Sequence, residues 1–127
     1  MPVHYIIYKE HRLAITTGEG YITADEIKAH QDQLLGDPDF DPTFNQLIDV
    51  TNAADLYLNV GEMKEVSRLR IVSGSSKRAY LAKSIHVAAV GRVMEIYHEA
   101  HHEVEVHVFE DRHEALQWLG IEEDSLS

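Results

Sequence analysis

The pattern of apolar and polar positions divides the chain into short strands and amphipathic helices. Residues 3–9 are rich in β-branched and aromatic side chains, with Val3, Tyr5 and Ile7 on one face and His4, Ile6 and Tyr8 on the other; that content favours a strand. In residues 12–20, Leu13 and Ile15 alternate with Ala14 and Thr16, the period of a half-buried strand. The short link Glu10-His11 predicts an antiparallel hairpin, with a third strand between the two as the alternative. Gly18 and Gly20 are expected to let the chain leave the sheet.

Thr23-Ala24-Asp25-Glu26 reads as a capping box and opens a helix to Leu35. Its inner face carries Ala24, Ile27, Gln31 and Leu34, and Gly36 stops it. Phe44 to Val50 reads as a strand covered on both sides, because adjacent Leu47 and Ile48 point to opposite faces; Asp49-Val50-Thr51-Asn52 closes it. Asn59 followed by Glu62 resembles a second helix cap, with Met63, Val66 and Leu69 continuing toward residue 72. Ser84 to Val90 reads as another buried strand, and Gly91 turns into a helix carrying Val93, Met94, Tyr97 and Ala100. Val104, Val106 and Val108 alternate with Glu105 and His107, as in an edge strand with one solvated face. Asp111 with Glu114 caps a last helix that packs Ala115, Leu116 and Leu119 and stops at Gly120. The order ββαβαβαβα predicts an α/β fold with a mixed, mostly parallel five-stranded sheet and about four helices. Residues 1–121 form one domain in this reading, followed by an acidic tail at 122–127.

Charge narrows the partners. Twenty-two acidic residues against eleven Lys and Arg give a net charge of −11 over 127 residues, a field that repels phosphate backbones and anionic lipid surfaces. Neither nucleic acid nor a membrane is expected as a partner. The absence of Cys removes disulfides, thiol nucleophiles and thiolate metal sites and is compatible with a reducing compartment. With no signal-like N-terminal run and no apolar segment of spanning length, a cytoplasmic location is expected.

The sharpest local motif is His98-Glu99-Ala100-His101-His102. Two His at i and i+4 on one helical face could hold zinc, with Glu99 activating a bound water. The motif ends its helix, and a catalytic zinc also needs a third ligand, for which His107, Glu110 and His113 are the nearest downstream. A solvated helix end therefore outranks a hydrolase: no catalytic residue and no cofactor are assigned, and His98 and His102 stand as candidates for adventitious zinc or another divalent metal. Asp49 reads as the end of a strand, where α/β folds place ligands, so Asp49, Thr51, Asn52 and Asp55, with Asn59 beyond them, form the candidate rim of a ligand or partner surface. The bland alternative is that these residues simply cap the turn. His86 reads as a hydrogen-bonded core residue and Trp118 as a partly buried packing residue. Arg68, Arg70, Lys77, Arg78, Lys83 and Arg92 read as the solvated face of the second helix and its loop, or as a docking patch.

Several stretches resemble a known family: Gly20 to Asp25 leading into a helix, the loop Asp37-Pro38-Asp39-Phe40-Asp41-Pro42, and the strand end Leu47-Ile48-Asp49-Val50. The helix Gly91-Arg92-Val93-Met94-Glu95-Ile96-Tyr97 and the tail from Val108-Phe109-Glu110-Asp111 to Glu114-Ala115-Leu116 and Trp118-Leu119 complete the likeness. Together they are similar to the small bacterial SpoIIAA-like proteins, which are STAS-type and related to the CRAL-TRIO lipid-exchange fold. The resemblance implies a fold more than an activity. In STAS-type anti-sigma antagonists a Ser or Thr at the start of the second helix is phosphorylated to switch partner binding. The matching stretch here, Leu58-Asn59-Val60-Gly61-Glu62, has no hydroxyl residue and the nearest candidate, Thr51, sits on the wrong side of the loop, so the chain lacks an obvious phospho-switch serine.

Three functions are carried forward. The first is a non-enzymatic binding or regulatory interaction module, with a protein or small ligand as partner and a homodimer invited by the edge strand. The second is a carrier of a small apolar or lipid-like ligand, with Met63, Val66, Val93, Met94 and Tyr97 lining its cavity. The third is a small zinc hydrolase using His98, Glu99 and His102.

Overall fold

The structure, a computed structural model, describes residues 3–57, 59, 61–62, 65, 76–101 and 105–126, without the side chains of 57, 94 and 97–101. Five strands lie side by side in chain order: β1 Val3–Tyr8, β2 Leu13–Thr23, β3 Asn45–Tyr57, β4 Lys77–Leu81 and β5 Glu105–Phe109. β1 and β2 pair antiparallel as a hairpin with no strand between them, and every later pairing is parallel. The connecting helices are α1 Ala24–Leu35, α2 Ile85–His101 and α3 Arg112–Trp118. Residues 61–62 and 65 are also helical, where the second of the four expected helices falls; the rest of that stretch lies outside the described residues. No described helix is long and apolar enough to cross a membrane.

Local capping chemistry explains the helix starts. The Thr23 side chain accepts the Glu26 N–H while the Glu26 carboxylate accepts the Thr23 N–H at 3.0 Å. Together they satisfy two donors that the first turn leaves without intrahelical partners. Asn59 and Glu62 repeat the exchange at 2.8 and 3.1 Å. Asp111 caps α3 by accepting the His113 N–H at 2.8 Å.

Three sequence expectations are corrected. The strand expected at Ser84–Val90 is instead the start of α2, and the strand lies at Lys77–Leu81. Along 85–90 Val87 and Val90 are buried while Ile85, His86 and Ala89 are exposed, which is helical rather than strand periodicity. His86 is thus a surface residue. β3 runs on to Tyr57, so Asp49-Val50-Thr51-Asn52 lies inside the strand. β2 likewise continues past Gly18 and Gly20 to Thr23, absorbing register shifts at Thr17/Glu19 and Gly20/Tyr21. Gly20 sits at φ +66°, a left-handed conformation that glycine adopts without steric cost.

The alternation of each strand then builds two cores. One face of the sheet packs Ala14, Ile22, Val50 and Tyr80 against Leu34 of α1 and Val87 and Val90 of α2. The other packs Leu13, Ile15, Leu47, Ala79 and Leu81 against Ala115, Leu116 and Leu119. Residues 123–126 of the acidic tail form a 3₁₀ turn, with Leu126 packed on this second core.

Candidate binding pocket

None of the residues expected to form a rim lines the cavity on the opposite face of the sheet. Asp49 lies on the α3 side of β3, where its carboxylate accepts from the Arg112 guanidinium at 3.2 Å and from the Thr51 hydroxyl at 2.7 Å. Arg112 also pairs with Glu123 at 3.2 Å, so Asp49 ties the middle of the sheet to α3 and the C-terminal turn. Asn52 is exposed, Asp55 accepts the Leu56 N–H at 2.8 Å, and Asn59 serves as a cap. The His98 side chain and all of His102 lie outside the described residues, as do Arg68 and Arg70. Among the described residues no three His, Asp or Glu side chains gather as metal ligands. Trp118 has the packing role expected of it: it stacks edge-on against His107 with centroids 4.8 Å apart, and the Lys77 ammonium sits 5.0 Å from its ring centre.

A cavity lies on the opposite face, between the sheet and helices α1 and α2. It is partly open, holds about 60 Å³, and is walled mainly by Val3, Ile22, Ile27, Ile48, Val50, Leu56 and Val90. Gly18 helps to make the space: a Cβ there would lie 2.6 Å from Ile22 Cδ1 and 3.1 Å from Val50 Cγ1. Gly91 lets α2 settle against the Tyr80 ring, where any Cβ would collide. The Tyr80 hydroxyl donates to the Val87 carbonyl at 2.8 Å, pinning the helix to the sheet; burial pushes the phenol pKa up.

Polar groups cross this apolar wall in one cluster. Gln46 and Arg78 are register partners on β3 and β4, and Thr16 lies on the next strand two positions beyond the partner of Gln46. α1 contributes His30 and Gln31 from above. All five are buried, Gln46 to 1% exposure and Arg78 to 2%. The Gln46 amide nitrogen donates to Thr16 Oγ1 at 2.8 Å, and Thr16 Oγ1 lies 3.1 Å from His30 Nε2. Burial, helped by the Arg78 charge, pushes the His30 pKa down to about 4. His30 is therefore neutral at pH 7, with one ring nitrogen a donor and the other an acceptor. The Gln46 carbonyl oxygen, though buried, has no hydrogen-bond partner. Burial lowers the Arg78 pKa to about 10, which leaves the guanidinium charged at neutral pH.

Sequence reasoning placed Gln31 on the inner face of α1 but gave no site role to Thr16, His30 or Gln46, and it read Arg78 as part of a solvated basic face or docking patch, whereas Arg78 is buried within β4. The readable signal was polar residues at inward positions: Gln46 shares the strand parity of Ile48 and Val50, and Arg78 that of Tyr80. A polar side chain inside is informative because burying one is costly unless it is bonded.

Among solved structures, the architecture matches an uncharacterised DUF3478-family protein with a SpoIIAA-like fold from Shewanella loihica PV-4. The match has a TM-score of 0.58 at 18% identity and covers 92% of this chain and 91% of that one. No family model and no curated protein matches the sequence. The chain has a SpoIIAA-like fold, as the sequence resemblance implied.

Proposed function

We propose that this chain is a non-enzymatic binding module of STAS-like architecture whose ligand site is the internal pocket between the sheet and helices α1 and α2. The observation that carries this reading is an apolar cavity with one concentrated set of buried polar groups, the usual composition of a small-molecule site. Its volume of about 60 Å³ suits a ligand of a few heavy atoms, since a cavity that takes up benzene measures ~150 Å³. The lipid-carrier reading therefore narrows to a small amphipathic ligand. Thr16 and His30 have the spacing of a nucleophile and its base. A histidine with its pKa near 4 is a weak base at neutral pH, which favours binding over catalysis.

A thermal-shift series with small amphipathic molecules tests the proposal. A ligand of the folded state should raise the Tm with concentration, and Ile27→Phe at the pocket wall should abolish the rise without unfolding the protein. A response unchanged in Ile27→Phe would place the binding elsewhere.

A second reading, self-association, is favoured by α2, where Ile85 is 85% and Ile96 65% exposed along with Val93. Sedimentation of the wild type against Ile96→Lys tests it: a dimer that survives the lysine does not use this face.

A further inference from the structure

We infer that a second copy of this chain pairs with the open edge of β1, the two β1 strands running antiparallel about a two-fold axis at Tyr5. The contact is independent of the pocket and uses a surface other than the outer face of α2. The two edges of the sheet differ in a way that points there. β5, the edge expected from the sequence to invite pairing, is obstructed. Phe109 turns its backbone toward β4, where its carbonyl accepts the Ala82 N–H at 3.0 Å, so Val108 beside it turns outward. The Val108 N–H is already taken: it donates to the Glu95 carboxylate of α2 at 3.1 Å. A side chain seated on an outward N–H keeps another strand from adding there.

β1 carries no such plug. The Asn45 N–H donates to the Arg12 carbonyl at 2.9 Å, so Arg12, Ala14 and Thr16 address β3 while Leu13, Ile15 and Thr17 address β1. The partners of those three are Tyr8, Ile6 and His4, which leaves the N–H and C=O groups of Val3, Tyr5 and Ile7 pointing outward. Among the described residues no strand lies beyond β1 and no side chain bonds these groups. Val3–Tyr8 pairs without a bulge and contains no Pro, Lys or other charged residue, the devices with which sheets protect an edge.

Three features select a second copy as the occupant. With Tyr5 on the axis, Val3 of one copy meets Ile7 of the other and Tyr5 meets Tyr5, so every outward group joins a ladder. No other antiparallel register of two β1 strands pairs all three residues. Ile6, 55% exposed, then faces His4 of the other copy across the closer, non-hydrogen-bonded pairing and is covered. Charge agrees: residues 3–18 carry Lys9 and Arg12 against Glu10, a net +1 in a chain of −11. Two such chains repel through their acidic remainder, and meeting hairpin to hairpin brings their least acidic parts together. Six residues per strand make an interface below the roughly 1,000 Å² of a stable complex, so the dimer is weak and reversible.

Sedimentation equilibrium of the full chain over a wide concentration range should show a reversible monomer–dimer equilibrium. Ile6→Lys, at an exposed position, should weaken the dimer about tenfold by removing two symmetric cross-strand contacts, with the fold kept by circular dichroism. Ile96→Lys on α2 should leave dimerisation unchanged. Because the chain lacks Cys, cross-linking reads the register directly. An equimolar mixture of His4→Cys and Ile6→Cys proteins should form disulfide-linked dimers on mild oxidation, since facing Cα atoms in such a pair lie ~4.5 Å apart. Each variant alone should not, because like positions then lie on a diagonal of ~7–8 Å. A protein that stays monomeric throughout overturns the proposal. A dimer that Ile6→Lys leaves intact, or that Ile96→Lys dissolves, removes the contact from β1. Cross-linking of either single variant as fast as the mixture overturns the register at Tyr5. None of these outcomes bears on the pocket, which the thermal-shift series decides on its own.

Discussion

The two faces of the sheet are made by the same strands and have opposite characters. Toward α3, Leu13, Ile15, Leu47, Ala79 and Leu81 meet Ala115, Leu116 and Leu119 in a closely packed apolar layer, with the Asp49–Arg112 ion pair on the same side. Toward α1 and α2, the same strands present Thr16, Gln46 and Arg78 around a cavity. Alternate residues of β4 show the contrast most sharply: Ala79 and Leu81 close one side, while Arg78 and Tyr80 open the other. A polar cluster and an unfilled volume both cost stability. The α3 face holds the fold together, while the opposite face gives up packing around the proposed site.

Truncation on the closed face should have the largest effect. Leu47→Ala, at a fully buried position, should lose about 2–5 kcal/mol in urea unfolding. Gln46→Leu, its neighbour pointing the other way, should cost less than about 1.5 kcal/mol, because it replaces a buried polar group by an apolar one of similar size. Equal losses at 46 and 47 would break the division between the faces.

Acid should act chiefly through the pocket face. The folded pKa of His30, about 4, lies below its ordinary value of 6.5, so between those values the unfolded chain binds more protons. Stability is therefore complete above pH 6.5 and falls as pH drops toward 4, by a loss on the order of 3 kcal/mol. His30→Gln should flatten that window in pH-dependent urea melts. Asp37 and Asp41, which backbone N–H bonds hold below the usual carboxylate pKa, contribute stability that is lost only at lower pH. A wild-type curve that is flat from 6.5 to 4 would remove His30 from the buried network.

A third test probes how tightly α2 is seated. Gly91→Ala gains helix propensity of up to about 1 kcal/mol but drives a methyl group into the Tyr80 ring, and overpacking of that kind costs about 1–3 kcal/mol. The net effect should be a lower Tm; a higher one would mean that α2 can move off Tyr80. The smallest effect is expected at the ion pair that sequence reasoning placed in a binding rim. Asp49→Asn should cost about 1 kcal/mol or less, because its partner Arg112 is 40% exposed, and it should leave the response of the thermal-shift series unchanged.

What the sequence determined by itself is local: the hairpin of β1 and β2, the capping boxes at Thr23 and Asn59, the Asp111 cap, and β5 as an edge strand. Each is written in a few adjacent residues whose hydrogen bonds close within one turn or one strand pair. The segment 77–90 shows where this fails. Lys77-Arg78-Ala79-Tyr80-Leu81 begins with two cations and looks solvated, while Ile85 to Val90 is apolar and β-branched and looks like the strand. A helical signal was present in the spacing of Val87, Val90 and Gly91 after Ser84, whose carbonyl accepts the Ala88 N–H at 2.8 Å. Only the tertiary structure decided between the two, because pairing with β3 and β5 and cover on both faces reward Lys77–Leu81 as the strand. It also decided the site. Thr16, His30, Gln46 and Arg78 lie up to 62 positions apart in sequence, and no spacing rule joins them; parallel register and the docking of α1 do. Burial then turns an ordinary arginine, histidine and glutamine into a desolvated cation, a neutral imidazole and an unsatisfied oxygen beside one cavity.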